Sequence, residues 1–529
     1  MKSRVRSFLI IAIIISISGP AGFAQRSSKS TGRPNILLFV FDDASYEHFK
    51  ANGSKWVNTP GFDRVAKNGL LFTNFYTPNA KCAPSRSSIL TGLYPWQLKE
   101  AANHLGFFPP EFRVITEALA DNGYRTGHTG KPWGPGIAKT TNGAARDLTG
   151  IPYQKRVTNP PTTGISGIDY TANFFDFLEN GKESEPWFFW CGGWEPHRGY
   201  EFGSGANKGV KTIGMIDRIP AYLPNTDSVR HDLLDYAFEL EYFDSHIERI
   251  IAGLEERREL DNTLIIVTSD NGMPFPRSKG YSFDSSNHLP MAVMWPKGIQ
   301  SPGRKIVNYY STVDLVPTFL ELGLTPSKAS GMCQPAGKSM ASIFKDASKG
   351  NSSDKGTLFF GRERNDFGRP QNQGYPSRSV MKDDFLYIIN FKPDRFPGGN
   401  PETGYLDVDG SPSKSVILNM RRNGGNNWFY NESFGLRSKE ELYYLPNDRD
   451  CVHNLAVNAE FTNVKVRLKA ELLKKLRSQK DPRVMEQGDV FDNYPFMSAD
   501  YWNFWERVQS KEIKDPASKT TWVEPTDYE

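Results

Sequence analysis

Cys82 opens the run Cys82-Ala83-Pro84-Ser85-Arg86-Ser87-Ser88-Ile89-Leu90-Thr91-Gly92, and Pro84 and Ser85 are expected to begin a helix there. A cysteine at that point sits at the positive end of a helix dipole beside Arg86, a place that suits an anion. The first five residues alone would equally describe a buried thiol next to a helix start. Asp42-Asp43 and Asp270-Asn271 supply oxygen donors from two distant segments, which is how a hard divalent cation is held. An isolated Asp-Asp pair reads as a cap or turn; paired with Cys82 it argues for a metal site. Arg86, Lys131, Lys279 and His197 form a set of cations able to hold an anion and the charge that develops on it during reaction. Arg277 competes with Lys279 for its place.

These residues follow elements that can position them. Asn35–Phe41 is a continuous apolar run, as in a strand buried on both faces of a parallel sheet. It ends at Asp42-Asp43. Thr263 to Val267 likewise ends in Thr268-Ser269-Asp270-Asn271-Gly272. Trp187 to Trp190 leads through a Gly-Gly turn to Glu195-Pro196-His197, and Tyr124-Arg125-Thr126 leads to Gly130-Lys131. Helical stretches at 62–68, 114–122 and 233–257 lie between them, the last amphipathic and containing Asp244. This alternation predicts an α/β fold, a doubly wound and mostly parallel sheet flanked by helices, with ligands at the carboxyl ends of the strands. From about residue 379 the texture changes to short aromatic strands and a Lys/Leu-rich helix near 464–476, read as a smaller antiparallel α+β subdomain. The expected division is therefore a catalytic domain at 33–378, the subdomain at 379–480, and a tail at 481–529 without regular structure.

The chain of 529 residues, 38% hydrophobic and 23% charged, suits a folded protein with a deep core rather than a disordered one. Its start carries Lys2, Arg4 and Arg6, an apolar run at 8–17 and small residues ahead of position 25, the pattern of a signal peptide at 1–24. The run is short for a membrane span, so no stable membrane insertion is expected after cleavage, and the mature protein is expected to be secreted or periplasmic. Losing those three basic residues and no acidic one takes the formal charge from +4 to +1. With no basic stripe either, nucleic acid is not an expected partner. The four cysteines have wide, irregular spacing, neither a disulfide framework nor a zinc knuckle; with Cys82 consumed by chemistry, at most one disulfide is open to the rest.

The eleven residues from Cys82 to Gly92 resemble the signature of the type I sulfatases, in the alkaline-phosphatase superfamily, which directs oxidation of its cysteine to formylglycine (3-oxoalanine). Gly123-Tyr124-Arg125-Thr126-Gly127-His128-Thr129-Gly130-Lys131 is similar to the family's second signature. The resemblance runs in order from about residue 33 to 483. It implies a nucleophile made from Cys82 and one calcium held by Asp42, Asp43, Asp270, Asn271 and Cys82. It further implies sulfate-binding cations at Arg86, Lys131 and Lys279, and His197 as the group that protonates the leaving atom. A maturation enzyme that generates formylglycine is an implied partner. Leu93 stands where many members carry Arg, and Pro132-Trp133 stands where the family has an X-His pair. His128 is the nearest alternative histidine.

Ser269-Asp270-Asn271-Gly272-Met273-Pro274-Phe275-Pro276, Tyr375-Pro376-Ser377-Arg378-Ser379-Val380 and Arg218-Ile219-Pro220 with Leu223-Pro224-Asn225-Thr226 resemble a particular branch. It contains N-sulfoglucosamine sulfohydrolase and bacterial polysaccharide sulfatases. The expected substrate is thus a sulfated carbohydrate, such as an algal ulvan, a carrageenan or a heparan-type glycan. Sulfamidase action, phosphoester or phosphonate hydrolysis, and a non-enzymatic glycan binder are the alternatives. His104, Arg198 and Arg378 are the expected sugar contacts, with Asn103, Arg362 and Glu363 as further polar candidates in nearby loops.

Overall fold

The computed structural model describes residues 32–529 apart from Glu183, Ser327 and Asn426; the expected signal at 1–24 lies outside the described residues. Its centre is an eight-stranded sheet. Across it run Arg304–Ile306, Leu70–Phe72, Met291–Met294, Thr263–Ser269, Asn35–Phe41, Trp187–Gly192, Arg125–Gly130 and Ile151–Pro152. Met291–Met294 is antiparallel to both its neighbours, and the other adjacent pairs are parallel. The expected mostly parallel sheet is thus present.

Successive side chains of a strand point to opposite faces, which explains why Asn35–Phe41 is apolar throughout. Leu37, Phe39 and Phe41 pack with Phe189 against Leu240, Phe243 and Ile247 of the long helix Asp227–Glu256. Ile36, Leu38 and Val40 face the other way, onto a core shared with Ile89, Leu90 and Phe319. Among these elements is the helix Cys82–Thr91, buried along its whole length. Asp244 is a structural group: its carboxylate accepts from the Gly61 and Phe62 amides at 2.7 and 2.8 Å, at the start of the helix Pro60–Lys67. That satisfies donors a helix start leaves unpaired.

Register decides where the polar residues emerge. Phe41 pairs with Ser269, Val40 with Gly192, and Gly130 with Gly192, so four parallel strands end at one level. Backbone bonds carry the alignment one residue further, from Asp270 N to Phe41 O at 3.1 Å and from Lys131 N to Gly192 O at 2.8 Å. Gly130 has a φ of +71°, and a Cβ there would lie 1.9 Å from the Gly192 carbonyl. Only glycine fits.

A second, four-stranded antiparallel sheet consists of Leu358–Arg362, Ser377–Lys382, Phe385–Asn390 and Glu440–Tyr444. It begins at Leu358, so the expected boundary at 378 falls inside a strand. Leu468, Leu472 and Leu476, four apart on the helix Thr462–Ser478, pack on Val380, Tyr387 and Leu442. Beyond residue 480 the chain is more ordered than expected. It contains the short helices Val490–Asn493 and Phe504–Gln509, and Phe496, Tyr501, Phe504 and Trp522 gather around Phe367. Aromatic packing onto a distant loop, rather than helical periodicity, orders that segment. All four cysteines are free thiols, and no helix of the described residues is long and apolar enough to cross a membrane.

Candidate active site

Cys82 lies at the head of its helix with Sγ 3.4 Å from Asp42 Oδ1 and 3.8 Å from Asp43 Oδ1. The helix is pinned in place. Ser85 Oγ donates to the Asp270 carbonyl at 2.5 Å, and the Trp133 indole N–H reaches Ala83 O at 3.1 Å and Ser87 Oγ at 2.8 Å. Asp43 adopts φ +73°, a left-handed conformation that a short polar side chain tolerates. Its amide donates to Asp270 Oδ1 at 3.1 Å, joining the two acidic segments.

The cations surround this centre. Arg86 Nε donates to Asp270 Oδ2 at 2.8 Å, and its Nη1 donates to the Lys131 and Pro132 carbonyls, each at 3.0 Å. Lys131 Nζ donates to Asp42 Oδ2. Lys279 Nζ bridges Asp43 Oδ2 at 2.7 Å and Asp409 Oδ2 at 2.9 Å. Burial alone would raise the Asp42 pKa, but Lys131, His197, Arg86 and Lys279 together hold it well below the usual range. Asp270 is pushed up to about 7, chiefly by burial, with Arg86 opposing and Asp42 and Asp43 adding to the rise. Burial, reinforced by Asp42, also pushes the Cys82 thiol well up. An unmodified Cys82 is therefore a neutral thiol rather than a ready thiolate nucleophile.

The donor set fits a hard cation. Oxygens of Asp42, Asp43 and Asp270 converge within 4.8 Å of one another, all three residues buried. Asn271 Nδ2 donates to Asp43 Oδ1 at 2.6 Å, while its Oδ1 is buried without a hydrogen-bond partner. Three carboxylates and an orphaned amide oxygen in one pocket match the oxygen-rich shell that calcium takes. Cys82 Sγ also falls within 4.8 Å of Asp42 and His197 donor atoms.

The structure thus brings together Cys82, Arg86, Lys131, His197, Lys279, Asp42, Asp43, Asp270 and Asn271. His197 Nε2 stands 3.9 Å from Asp43 Oδ2, and its Nδ1 lies 2.6 Å from the Arg198 carbonyl. A carbonyl only accepts, so Nδ1 carries a hydrogen and Nε2 is the ring nitrogen turned to the site. Lys279, not Arg277, reaches the centre; Arg277 donates to the Glu432 and Cys451 carbonyls and lies 3.9 Å from the Phe283 ring centre. His128 is bound to Gly150 O at 2.9 Å. Trp133 turns its ring into the core rather than toward Cys82. Leu93 is buried in the same apolar cluster.

The expected sugar contacts fare differently. Arg378 uses all five N–H donors internally, on Asp481 at 2.7 and 3.0 Å, on Glu363 at 2.7 Å, and on two carbonyls at 3.2 and 2.9 Å. With no donor left it is a staple rather than a sugar contact. Arg198 is held by Asp232 at 2.6 and 2.9 Å and by Pro274 O at 2.6 Å. Arg362 pairs with Asp407 at 2.7 Å, Glu363 with Arg378 and Arg483, and Asn103 with Phe491 O. His104 lies in a buried triad. Its Nδ1 is 3.0 Å from Asp366, which also takes Lys81 at 2.7 Å, and its Nε2 is buried without a partner. Asp409, Lys81 and Trp194 escaped the sequence reading. Lys81 adjoins Cys82 and Trp194 precedes Glu195-Pro196-His197, so their neighbours were signals; Asp409 enters from a remote loop and carried none.

Residues 34–323 match the family model described as Sulfatase. An ulvan-active sulfatase of Formosa agariphila is 26% identical over 478 residues, covering 86% of this chain and 82% of that one. Human N-sulphoglucosamine sulphohydrolase is 26% identical over 492 residues, covering 87% and 93%. Among solved structures, one in complex with its substrate D-glucosamine-2-N,6-O-disulfate superposes with a TM-score of 0.56 at 18% identity, covering 85% of this chain and 98% of that one. A 2-O GAG sulfatase superposes with a TM-score of 0.59 at 16% identity, covering 85% and 93%. With the family's domain spanning more than half of its length, the chain belongs to the sulfatase family.

Proposed function

We propose that this sulfatase removes sulfate from a carbohydrate, with Cys82 acting after conversion to formylglycine and with one calcium held by Asp42, Asp43, Asp270 and Asn271. One observation carries the reading: an oxygen-donor pocket with an orphaned Asn271 Oδ1 lies against the head of the Cys82 helix, between Lys131 and Lys279. The relatives named for ulvan and for N-sulphoglucosamine support a sulfated sugar as substrate.

Conversion of Cys82 to formylglycine would supply a hydrated aldehyde, with one hydroxyl able to attack sulfur and a second able to expel sulfate. A calcium held by Asp42, Asp43, Asp270 and Asn271 would polarise sulfate oxygens and favour an ionised nucleophile. The chain's own residues do the rest. Lys131 and Lys279 face one pocket from two sides and neutralise charge gathering on the sulfate. Arg86 Nη2 makes no hydrogen bond and lies 3.5 Å from Asp42 Oδ1, so it adds positive charge to the floor of the pocket. His197, once doubly protonated, passes its Nε2 proton to the leaving oxygen and is left neutral with its hydrogen on Nδ1, where the bond to Arg198 O fixes the ring. Asp409 holds Lys279 in place. Export to the periplasm or medium, with maturation by a formylglycine-generating enzyme, completes the reading.

The test is a panel of sulfated disaccharides from ulvan, carrageenan, heparan and chondroitin, read as free sulfate, after expression with a maturation enzyme. Mass spectrometry of the Cys82 peptide reports conversion. Sulfate release by the wild type and none by Cys82→Ala is expected; release that survives Cys82→Ala, or faster cleavage of an aryl phosphate than an aryl sulfate, overturns the reading.

A further inference from the structure

A sulfate seated between Lys131 and Lys279 must direct its ester oxygen toward His197 Nε2, so the attached sugar leaves the pocket past whatever stands beside His197. Trp194 stands there. It shares a tight turn with His197, whose amide donates to the Trp194 carbonyl at 3.1 Å, and its own amide donates to the Tyr170 hydroxyl at 3.0 Å. Tyr170 is in turn fixed on Glu195 at 2.7 Å. The backbone of Trp194 is thus anchored on both sides, yet its side chain is not buried. Trp194 is 43% exposed, whereas Lys131 is 5% and Lys279 4% exposed. The Lys131 ammonium lies 5.4 Å from the indole centre.

A large aromatic ring held rigidly at the open side of a cationic pocket is costly to leave in water. Polar groups stand beside His197 as well. Asp409 holds Lys279, and donor atoms of Asp409, His197 and Asp43 lie within 4.8 Å of one another. A pyranose presents an apolar C–H face and a rim of hydroxyls, and the indole and these polar groups offer a partner for each. We propose that the exposed indole of Trp194 is the stacking platform for the sugar ring that carries the scissile sulfate, making Trp194 a specificity-determining residue. This rests on the carbohydrate-sulfatase reading.

Calorimetry on full-length Cys82→Ala protein tests the platform without turnover, using galactose 6-sulfate, glucosamine 6-sulfate and inorganic sulfate as probes. Adding Trp194→Ala weakens binding of a sulfated sugar about tenfold and leaves inorganic sulfate unchanged; Trp194→Phe retains most of the affinity. In the matured enzyme Trp194→Ala raises KM far more than it lowers kcat. Equal affinity for sulfated sugars with and without the indole overturns the proposal. So does an equal loss for inorganic sulfate, which would make Trp194 a support for Lys131. So, too, does a protein that binds sulfated sugars no better than inorganic sulfate. Free sulfate from an aryl sulfate judges the sulfatase reading separately, so the two failures are distinguishable.

Discussion

Arg86 and Arg378 are both fully buried and both paired with carboxylates, yet they belong to opposite kinds of cluster. Around Arg378, Glu363, Asp481 and Arg483 close on one another and every Arg378 donor is spent. Around Arg86 the account is left open: Arg86 Nη2 and Asn271 Oδ1 are buried without hydrogen-bond partners. A closed cluster of charge holds a fold together, and only an open one, such as that beside Cys82, keeps atoms that a ligand could use. The lesson corrects the assignment of Arg378 to substrate, because a buried arginine has a free role only if its donors are free.

The contrast can be broken in four ways. Arg378→Met strands Glu363 and Asp481 and should cost about 3–5 kcal/mol in a urea titration, with little change in turnover per folded molecule. A drop in turnover at full stability would place Arg378 in the wrong cluster. Arg86→Met should do the reverse, cutting sulfate release by about 10²–10³-fold while its melting temperature falls less than that of Arg378→Met. Calcium at a hundredfold excess over its Kd should stabilise the wild type by about 2.7 kcal/mol. Chelation should reverse the gain and Asp43→Asn should lose it; an equal gain in Asp43→Asn would mean the cation sits elsewhere.

The smallest effect concerns Glu239, whose two carboxyl oxygens are buried without partners. Burial, with Glu195 adding to it, raises the Glu239 pKa well above 4.5. A raised pKa means that the folded state keeps its proton longer than the unfolded chain does. The associated stability is complete below the unfolded value and is lost as pH rises through the folded one. Glu239→Gln removes a slope of up to about 1.4 kcal/mol per pH unit. Melting curves from about pH 5 to about pH 8 should fall more steeply for the wild type than for the variant, and parallel curves would disprove the assignment.

What could be read from sequence was local. Asp42-Asp43 and Asp270-Asn271 announce themselves because apolar runs end on them, and strand register then aligns those ends. Cys82 is legible from the residues that follow it. Asp409 is not, because it reaches Lys279 across 130 positions and no periodicity encodes a pairing of that span. The same blindness hid the partners of Arg378 and Arg198, which come from 103 and 34 residues away. The tail misled because its order comes from rings packed on Phe367, not from a repeating pattern.

Trp133 resists its own replacement. Its indole ties the start of the Cys82–Thr91 helix through Ala83 O and Ser87 Oγ, and it borders a hollow of about 110 Å³ with Pro132, Arg146 and Asp147. A smaller side chain at position 133 would remove that tie and enlarge the hollow at once. Loss of the ring would therefore loosen the start of that helix and leave space beside Ser87, so position 133 is held by packing and hydrogen bonding together.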